Sequence, residues 1–260
     1  TPPTPGQPDK QPLHIPLAVG LLDHNGREMP LRFEGESLGK EAPTRVIELV
    51  NSEQTFRFLG VHHPPVPSIN RGFSAPIVLS VPYRDEDLGM LMSDDSDPFN
   101  RWEAGQRYAT GVLLKMVADL QAGRTPDADS AFMDALHAVL RDAEDDRAFV
   151  ALMMTLPSED YLAEQIETVD VEAIHKARQA LRCAIAARMT DELLAVYRAN
   201  RSNAPFSPDP ASAGRRALKN VALAYLALLE DAPMLALAAD QYRDTDNMTD
   251  RMAALAAVND

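Results

Sequence analysis

A chain of 260 residues, 45% apolar and 25% charged, is long enough for one large domain or two ordinary ones and has a normal globular composition. Its formal charge of −14 argues against nucleic acid or anionic membrane as a partner, because neither would meet enough Lys or Arg; the plain reading of that charge is solubility. The single cysteine, Cys183, excludes an internal disulfide, and no apolar run is long enough to span a bilayer as a helix.

Residues 1–12 are rich in Pro and poor in apolar side chains, so they read as a lead-in loop. From Leu13 the pattern alternates. Leu13, Ile15, Leu17, Val19 and Leu21 share one face of a predicted strand, and Pro16 requires a free flank because it cannot donate to a ladder. Asp23-His24-Asn25-Gly26 predicts a hairpin turn, with a returning strand over about 27–33. Residues 44–50 and 55–59 predict a second hairpin around Asn51-Ser52-Glu53. Short strands follow over 66–69 and 76–83. Short strands at this spacing, separated by turn signals, suggest a sandwich.

Asp97 then starts a long helix. Its carboxylate can cap the first turn, and Pro98 sits where a missing N–H costs nothing. Phe99, Trp102, Tyr108, Val112, Met116 and Leu120 form one wide apolar face, and Gly123 ends the helix. The segment 85–93 before it is an ambiguous connector. From there the pattern is helical to the end. Thr125-Pro126 opens a helix with the stripe Phe132, Leu136, Val139 and Leu140. Residues 145–155 form a short helix facing inward through Phe149, Leu152 and Met153. Ser158 and Asp170 cap the next two, with a break expected near Thr190. A Pro-rich loop over 200–211 precedes the most apolar helix, 215–229. Helices over 233–242 and from Asn247 onward follow, the last with Asn247 and Asp250 spaced as a capping box. Helices of this length with short connectors make a bundle or a solenoid of stacked antiparallel pairs.

Four stretches carry a resemblance: Asp95 to Ala109 (DSDPFNRWEAGQRYA), Lys10 to Leu22 (KQPLHIPLAVGLL), Pro65 to Val78 (PVPSINRGFSAPIV) and Asn247 to Leu255 (NMTDRMAAL). In order and spacing the chain resembles the bacterial aminopeptidase N family of gluzincin zinc peptidases, over the part that follows the catalytic domain. The resemblance implies a β then α architecture. Residues 13–84 would be an immunoglobulin-like β-sandwich lacking its first strands. Residues 85–260 would be an α-helical solenoid lacking its C-terminal part. The sandwich would then carry an unprotected edge or an uncovered apolar face, with pairing to a neighbouring molecule or local disorder expected along that edge.

No catalytic, cofactor-binding or metal-binding residue is assigned. The six histidines are His14, His24, His62, His63, His137 and His175, and none lies in His-Glu-x-x-His. His62 and His63 are adjacent, so in extended chain they point to opposite faces. The resemblance places the family's zinc ligands, general-base Glu and Gly-Ala-Met-Glu-Asn motif before this chain, where no position here matches. Gly72-Phe73-Ser74-Ala75-Pro76 lacks the second Gly of a nucleophile elbow, so Ser74 reads as part of a turn. Asp94-Asp95-Ser96-Asp97 and the 142–146 cluster lack calcium-loop spacing and flank helix starts that favour carboxylates. Arg215-Arg216 is too small for a nucleic-acid patch, and Cys183, among Leu181, Ile185 and alanines, reads as a buried inert thiol.

The expectation is therefore a non-catalytic C-terminal fragment of a zinc aminopeptidase, with no cofactor of its own and zinc in the intact parent. Its partners would be the missing catalytic domain and, in the parent, peptides, in the bacterial cytoplasm. The alternatives are a stand-alone solenoid that binds a protein or peptide, and a hydrolase using Ser74.

Overall fold

The strand Ile15–Leu22 (β1) organises the N-terminal part of the chain. In the computed structural model, which describes residues 2–144, 146–202 and 204–259, it lies between Arg45–Leu49 (β2) and Val66–Ile69 (β3), antiparallel to both. Leu17 faces Ile47, Val19 faces both Arg45 and Ile69, and Gly20 faces Ser68. Pairing with β3 begins only at Val19, so Pro16 has the free flank its missing N–H requires. Both faces of β1 are buried from Leu17 to Leu22. One packs Leu17, Val19 and Leu21 against Leu31 and Ala75.

Three predicted strands are not strands. The Asp23–Gly26 turn forms as expected: the Asp23 carboxylate accepts from the amides of Asn25 and Arg27, and Gly26 takes φ 74°. The return over 27–33 makes only isolated bridges, Leu22 to Glu28, Leu31 to Ala42 and Phe33 to Phe58. Residues 55–59 do not fold back on β2. The Gln54 side chain takes the amides of Val50 and Asn51 and donates to the Glu48 carbonyl, which closes the turn locally. The following residues bond to 32–34 instead. Residues 76–83 form no ladder, consistent with Pro76 and Pro82 lacking donors. Tyr83 is held by its hydroxyl, which donates to the Pro67 carbonyl at 2.6 Å.

The segment read as a connector is a helix, Asp85–Asp94 (α1). Asp87 starts it by accepting from both the backbone amide and the guanidinium of Arg84, and Leu88, Leu91 and Met92 are buried. The long helix Pro98–Gln121 (α2) follows, with Asp97 accepting from the Asn100 amide. Gly123, at φ 70°, ends it as expected. The chain divides into two compact units, Thr1–Gly105 and Gln106–Asp260, so α2 contributes residues to both.

In the second unit, Ser130–Arg141 (α3) starts later than Thr125-Pro126 suggests, because Asp129 caps it by accepting from the Phe132 amide. The stripe Phe132, Leu136, Val139 and Leu140 is buried, each side chain contributing about 1.5–3 kcal/mol. Arg147–Met153 (α4) is rotated from its predicted face. Val150, Ala151 and Met153 are buried, whereas Leu152 is exposed and Phe149 half-buried; Asp145, assigned to this helix from sequence, lies outside the described residues. Ser158 caps Glu159–Glu164 (α5) and Asp170 caps Val171–Arg188 (α6). The break falls at Met189, where Thr190–Ala199 (α7) begins.

Pro210–Ala227 (α8) starts earlier than read, from the Asp209 cap. Hydrogen bonds from the Ser207 and Ser212 side chains and the Ser212 amide hold that Asp209 carboxyl well below the usual range. Ala232–Asp244 (α9) and Met248–Asn259 (α10) complete the described helices. α8 is the hub: it packs on α4, α6, α7, α9 and α10. Gly214 allows the approach to α4, since a Cβ there would lie 3.2 Å from the Ala148 amide nitrogen. The Tyr225 hydroxyl donates to the Met154 carbonyl at 2.8 Å, and burial pushes its pKa up to about 12.

One prediction concerns the loop before β2. Hydrogen bonds from the Arg45 guanidinium and the Phe33 amide hold the Glu36 carboxyl at about 2, against an ordinary 4.5. A depressed carboxyl stabilises the fold above its unfolded pKa, and the contribution is lost as pH falls from 4.5 toward 2. A carbon-13 titration should place the Glu36 midpoint near 2, and Arg45→Gln should return it toward the ordinary value. A wild-type midpoint already at the ordinary value would refute the pairing.

Candidate functional site

Two buried polar centres stand out, one in each unit. In the first unit, Arg71 is 5% exposed, although arginine is seldom buried without partners. Its Nε donates to Ser68 Oγ at 2.8 Å. One terminal nitrogen donates to Glu28 Oε1 at 2.6 Å and Thr44 Oγ1 at 2.7 Å; the other donates to Asp95 Oδ1 at 2.8 Å. Asp95 is fully buried, and its Oδ1 also accepts from the Asp97 amide. Asn100 donates to Ser68 Oγ at 2.7 Å. Asp97 Oδ2 takes the Gly72 amide. Hydrogen bonds from Ser96 and Arg71 hold the Glu28 carboxyl below its usual value. Gly20 makes room: a Cβ there would lie 2.4 Å from Arg71 Cζ. Beside this centre, Asn70 adopts a left-handed φ of 68° and bonds both the amide and carbonyl of Ala75. These bonds engage four of the five N–H donors of one guanidinium, all with groups of the protein itself. It is structural.

In the second unit, Lys219 Nζ donates to Asp250 Oδ2 at 2.6 Å, with side chains 9% and 6% exposed. Asn220 donates to Asp250 Oδ1, and Asn247 to Oδ2, both at 3.0 Å. Burial opposes ionisation of Asp250, but these hydrogen bonds outweigh it and its carboxyl lies below the usual value. Of the capping box predicted at Asn247, the cap bond forms, from the Asp250 amide to Asn247 Oδ1 at 2.9 Å, while the Asp250 carboxylate accepts from the Asn247 side chain. Asp250 therefore closes a helix start and neutralises a lysine at once. Above this pair opens a cavity of about 440 Å³ between the end of α7, residues 200–202 and 204–207, and α8, α9 and α10. Arg201, Arg215, Arg216 and Phe206 line it. The Arg216 guanidinium stacks 4.6 Å from the centre of the Phe206 ring.

The residues singled out from sequence do not converge. His14 lies 3.6 Å from Glu48, His137 3.3 Å from Glu192 and His175 3.0 Å from Glu159, each in a separate pair. His24 meets His63 edge to face, 5.7 Å between ring centres. Ser74 Oγ accepts from the Ala18 amide at 2.9 Å and donates to Asn70 Oδ1 at 3.1 Å, so it ties a turn to β1. Cys183 is half-buried rather than buried. In the first acidic cluster, Asp95 and Asp97 are occupied by Arg71 and by backbone amides. In the second, Asp146 caps α4 and Asp145 lies outside the described residues. Among the described residues no group of three or more His, Cys, Asp or Glu is placed to hold a metal ion. No helix among them is long and apolar enough to cross a membrane. Sequence reasoning missed both polar centres. The only local signal was a lone Lys on the most apolar helix and an Arg beside two turn-forming residues.

Residues 85–260 match the family described as a domain of unknown function, DUF3458_C, with ARM repeats, and residues 1–82 match DUF3458, with an Ig-like fold. The chain belongs to the DUF3458 family. This DUF3458 chain is 37% identical over 257 residues to aminopeptidase N of Escherichia coli (strain K12), covering 99% of itself and 29% of that protein. It is 39% identical over 240 residues to aminopeptidase N of Caulobacter vibrioides (strain ATCC 19089 / CIP 103742 / CB 15), covering 92% of itself and 26% of that protein. A solved structure of Legionella pneumophila aminopeptidase A, in complex with aspartic acid, matches with a TM-score of 0.76 and 26% identity. The match covers 95% of this chain and 28% of that one. The DUF3458 chain thus spans less than a third of the length of the curated relatives it matches. The resemblance carried by its four stretches extends over nearly the whole chain, and the expected order, Ig-like domain then helical repeats, holds.

Proposed function

We propose that this chain is the non-catalytic part of a zinc aminopeptidase that removes amino-terminal residues from peptides. The observation that carries this reading is the match to aminopeptidase N over 99% of the chain, confined to 29% of that protein's length. On this reading the zinc and the groups that activate its water belong to a catalytic domain elsewhere in the parent protein, the partner of the present chain. Residues 13–84 act as a spacer and residues 85–260 as a helical lid that restricts entry to small peptides. The compartment is the bacterial cytoplasm. Where a metal is concerned, His137–Glu192 and His175–Glu159 are isolated pairs of one His and one Glu, too few ligands for a catalytic zinc, which takes three.

The test is hydrolysis of amino-acid p-nitroanilides. The parent protein should turn them over in a zinc-dependent way, and the 260-residue chain with added zinc should stay at background. Turnover by the chain alone would overturn the non-catalytic reading, and a parent without zinc-dependent turnover would overturn the aminopeptidase reading.

A further inference from the structure

We propose that the cavity beside Lys219 binds a small oxyanion. The proposal goes beyond the aminopeptidase reading and does not depend on it.

The first argument is charge. The protein has a formal charge of −14, yet this cavity is lined by Arg201, Arg215, Arg216 and Lys219 against Asp244, Asp246 and Asp250. Asp250 is engaged by Lys219, Asn220 and Asn247. Asp246 accepts from the Phe206 amide at 3.2 Å and from Asn247 at 3.4 Å. Those two donors are neutral, so with Lys219 and Asp250 cancelling, three guanidinium groups face the carboxylates of Asp246 and the exposed Asp244, and the lining keeps a net positive charge. None of those three has an ion pair among the described residues, in a chain where carboxylates outnumber cations 39 to 25.

The second argument is preorganisation. Arg216 stacks on Phe206, which fixes its plane and leaves its edge N–H groups free to donate. Arg215 gives one N–H to Ser212 Oγ at 2.8 Å, which positions it in the first turns of α8 and keeps its other donors available. The Phe206 backbone is itself tied to Asp246, so the aromatic platform is anchored across the cavity. Guanidinium forks match the planar or tetrahedral oxygens of carboxylate and phosphate.

The third argument is size. About 440 Å³ lies within the range of small-molecule sites. Such sites are mostly apolar, and this one is lined by charged and polar side chains, which favours a hydrophilic ligand.

The experiment is calorimetric titration of the full chain with inorganic phosphate, pyrophosphate and citrate, at chloride concentrations matched for ionic strength. Saturable binding that weakens as salt rises is expected. The Arg215→Gln/Arg216→Gln variant should weaken it by roughly tenfold or more. Arg201→Gln, which alters one exposed loop side chain and spares the helix, should weaken it as well. Arg124→Gln removes a cation paired with Asp119 away from the cavity and should bind as the wild type does. Preference for phosphate or pyrophosphate identifies a phosphoryl ligand, and preference for citrate a carboxylate one. No saturable heat with any of the three probes overturns the proposal. So does equal weakening by Arg124→Gln and Arg201→Gln, which would reduce the effect to overall charge.

Discussion

Replacing Arg71 by Met is expected to destabilise the first unit by about 3–5 kcal/mol, the cost of leaving one member of a buried ion pair alone. Asp95 has no exposure and would keep its carboxylate with only the Asp97 amide. Ser68, Glu28 and Thr44 would each lose a charged donor as well. Amide exchange of Leu17 to Leu22 reads the effect within the unit concerned, because β1 is its most buried segment. Gly20→Ala should produce much of the same loss without touching a charge, since the new methyl would stand 2.4 Å from Arg71 Cζ and expel the guanidinium. The two changes then act on one interaction, so Gly20→Ala should cost far less once Arg71 is already Met. Simple additivity of the two would show that the guanidinium is not what Gly20 accommodates.

Lys219→Met should cost the second unit about 3 kcal/mol, at the lower end of the range because Asn220 and Asn247 still donate to Asp250. Removing both charges, as Lys219→Met with Asp250→Leu, should recover much of that loss, since an apolar pair of similar volume avoids the desolvation cost. Urea unfolding of the single and double variants measures it. A double variant no more stable than Lys219→Met alone would mean that Asp250 matters as a helix cap and hydrogen-bond acceptor rather than as a counter-charge.

Most helices were legible because their signals are local. Asp97, Ser158, Asp170 and Asn247 lie at the starts where their side chains can take free amides, and the stripe through Phe132 and Leu136 has the helical period. α1 was hidden because Leu88, Met90, Leu91 and Met92 crowd together and show no clean period. The strand errors share a cause. Alternation reports a pleated segment but not its partner, and Gln54 redirects the chain with side-chain bonds that no two-state pattern contains. The polar centres were illegible for a different reason. Lys219 and Asp250 are 31 residues apart, and Ser68 and Asn100 are 32 apart. The two stretches PVPSINRGFSAPIV and DSDPFNRWEAGQRYA stand out in the sequence as separate motifs. In the fold they are halves of one hydrogen-bonded assembly around Arg71.

That assembly has a consequence for biosynthesis. The strands of the sheet have all been made once Ile69 emerges from the ribosome, but Asp95, Ser96 and Asn100 are still unmade. Until some thirty further residues are translated, a nascent chain can pair Arg71 only with Glu28, Thr44 and Ser68, without the buried Asp95 counter-charge or Asn100. The sheet therefore reaches its full complement of buried polar partners only with a segment that lies beyond its own last strand. A gene truncated after Tyr83 would release the sheet without the Asp95 counter-charge, and its product should be found in the insoluble fraction.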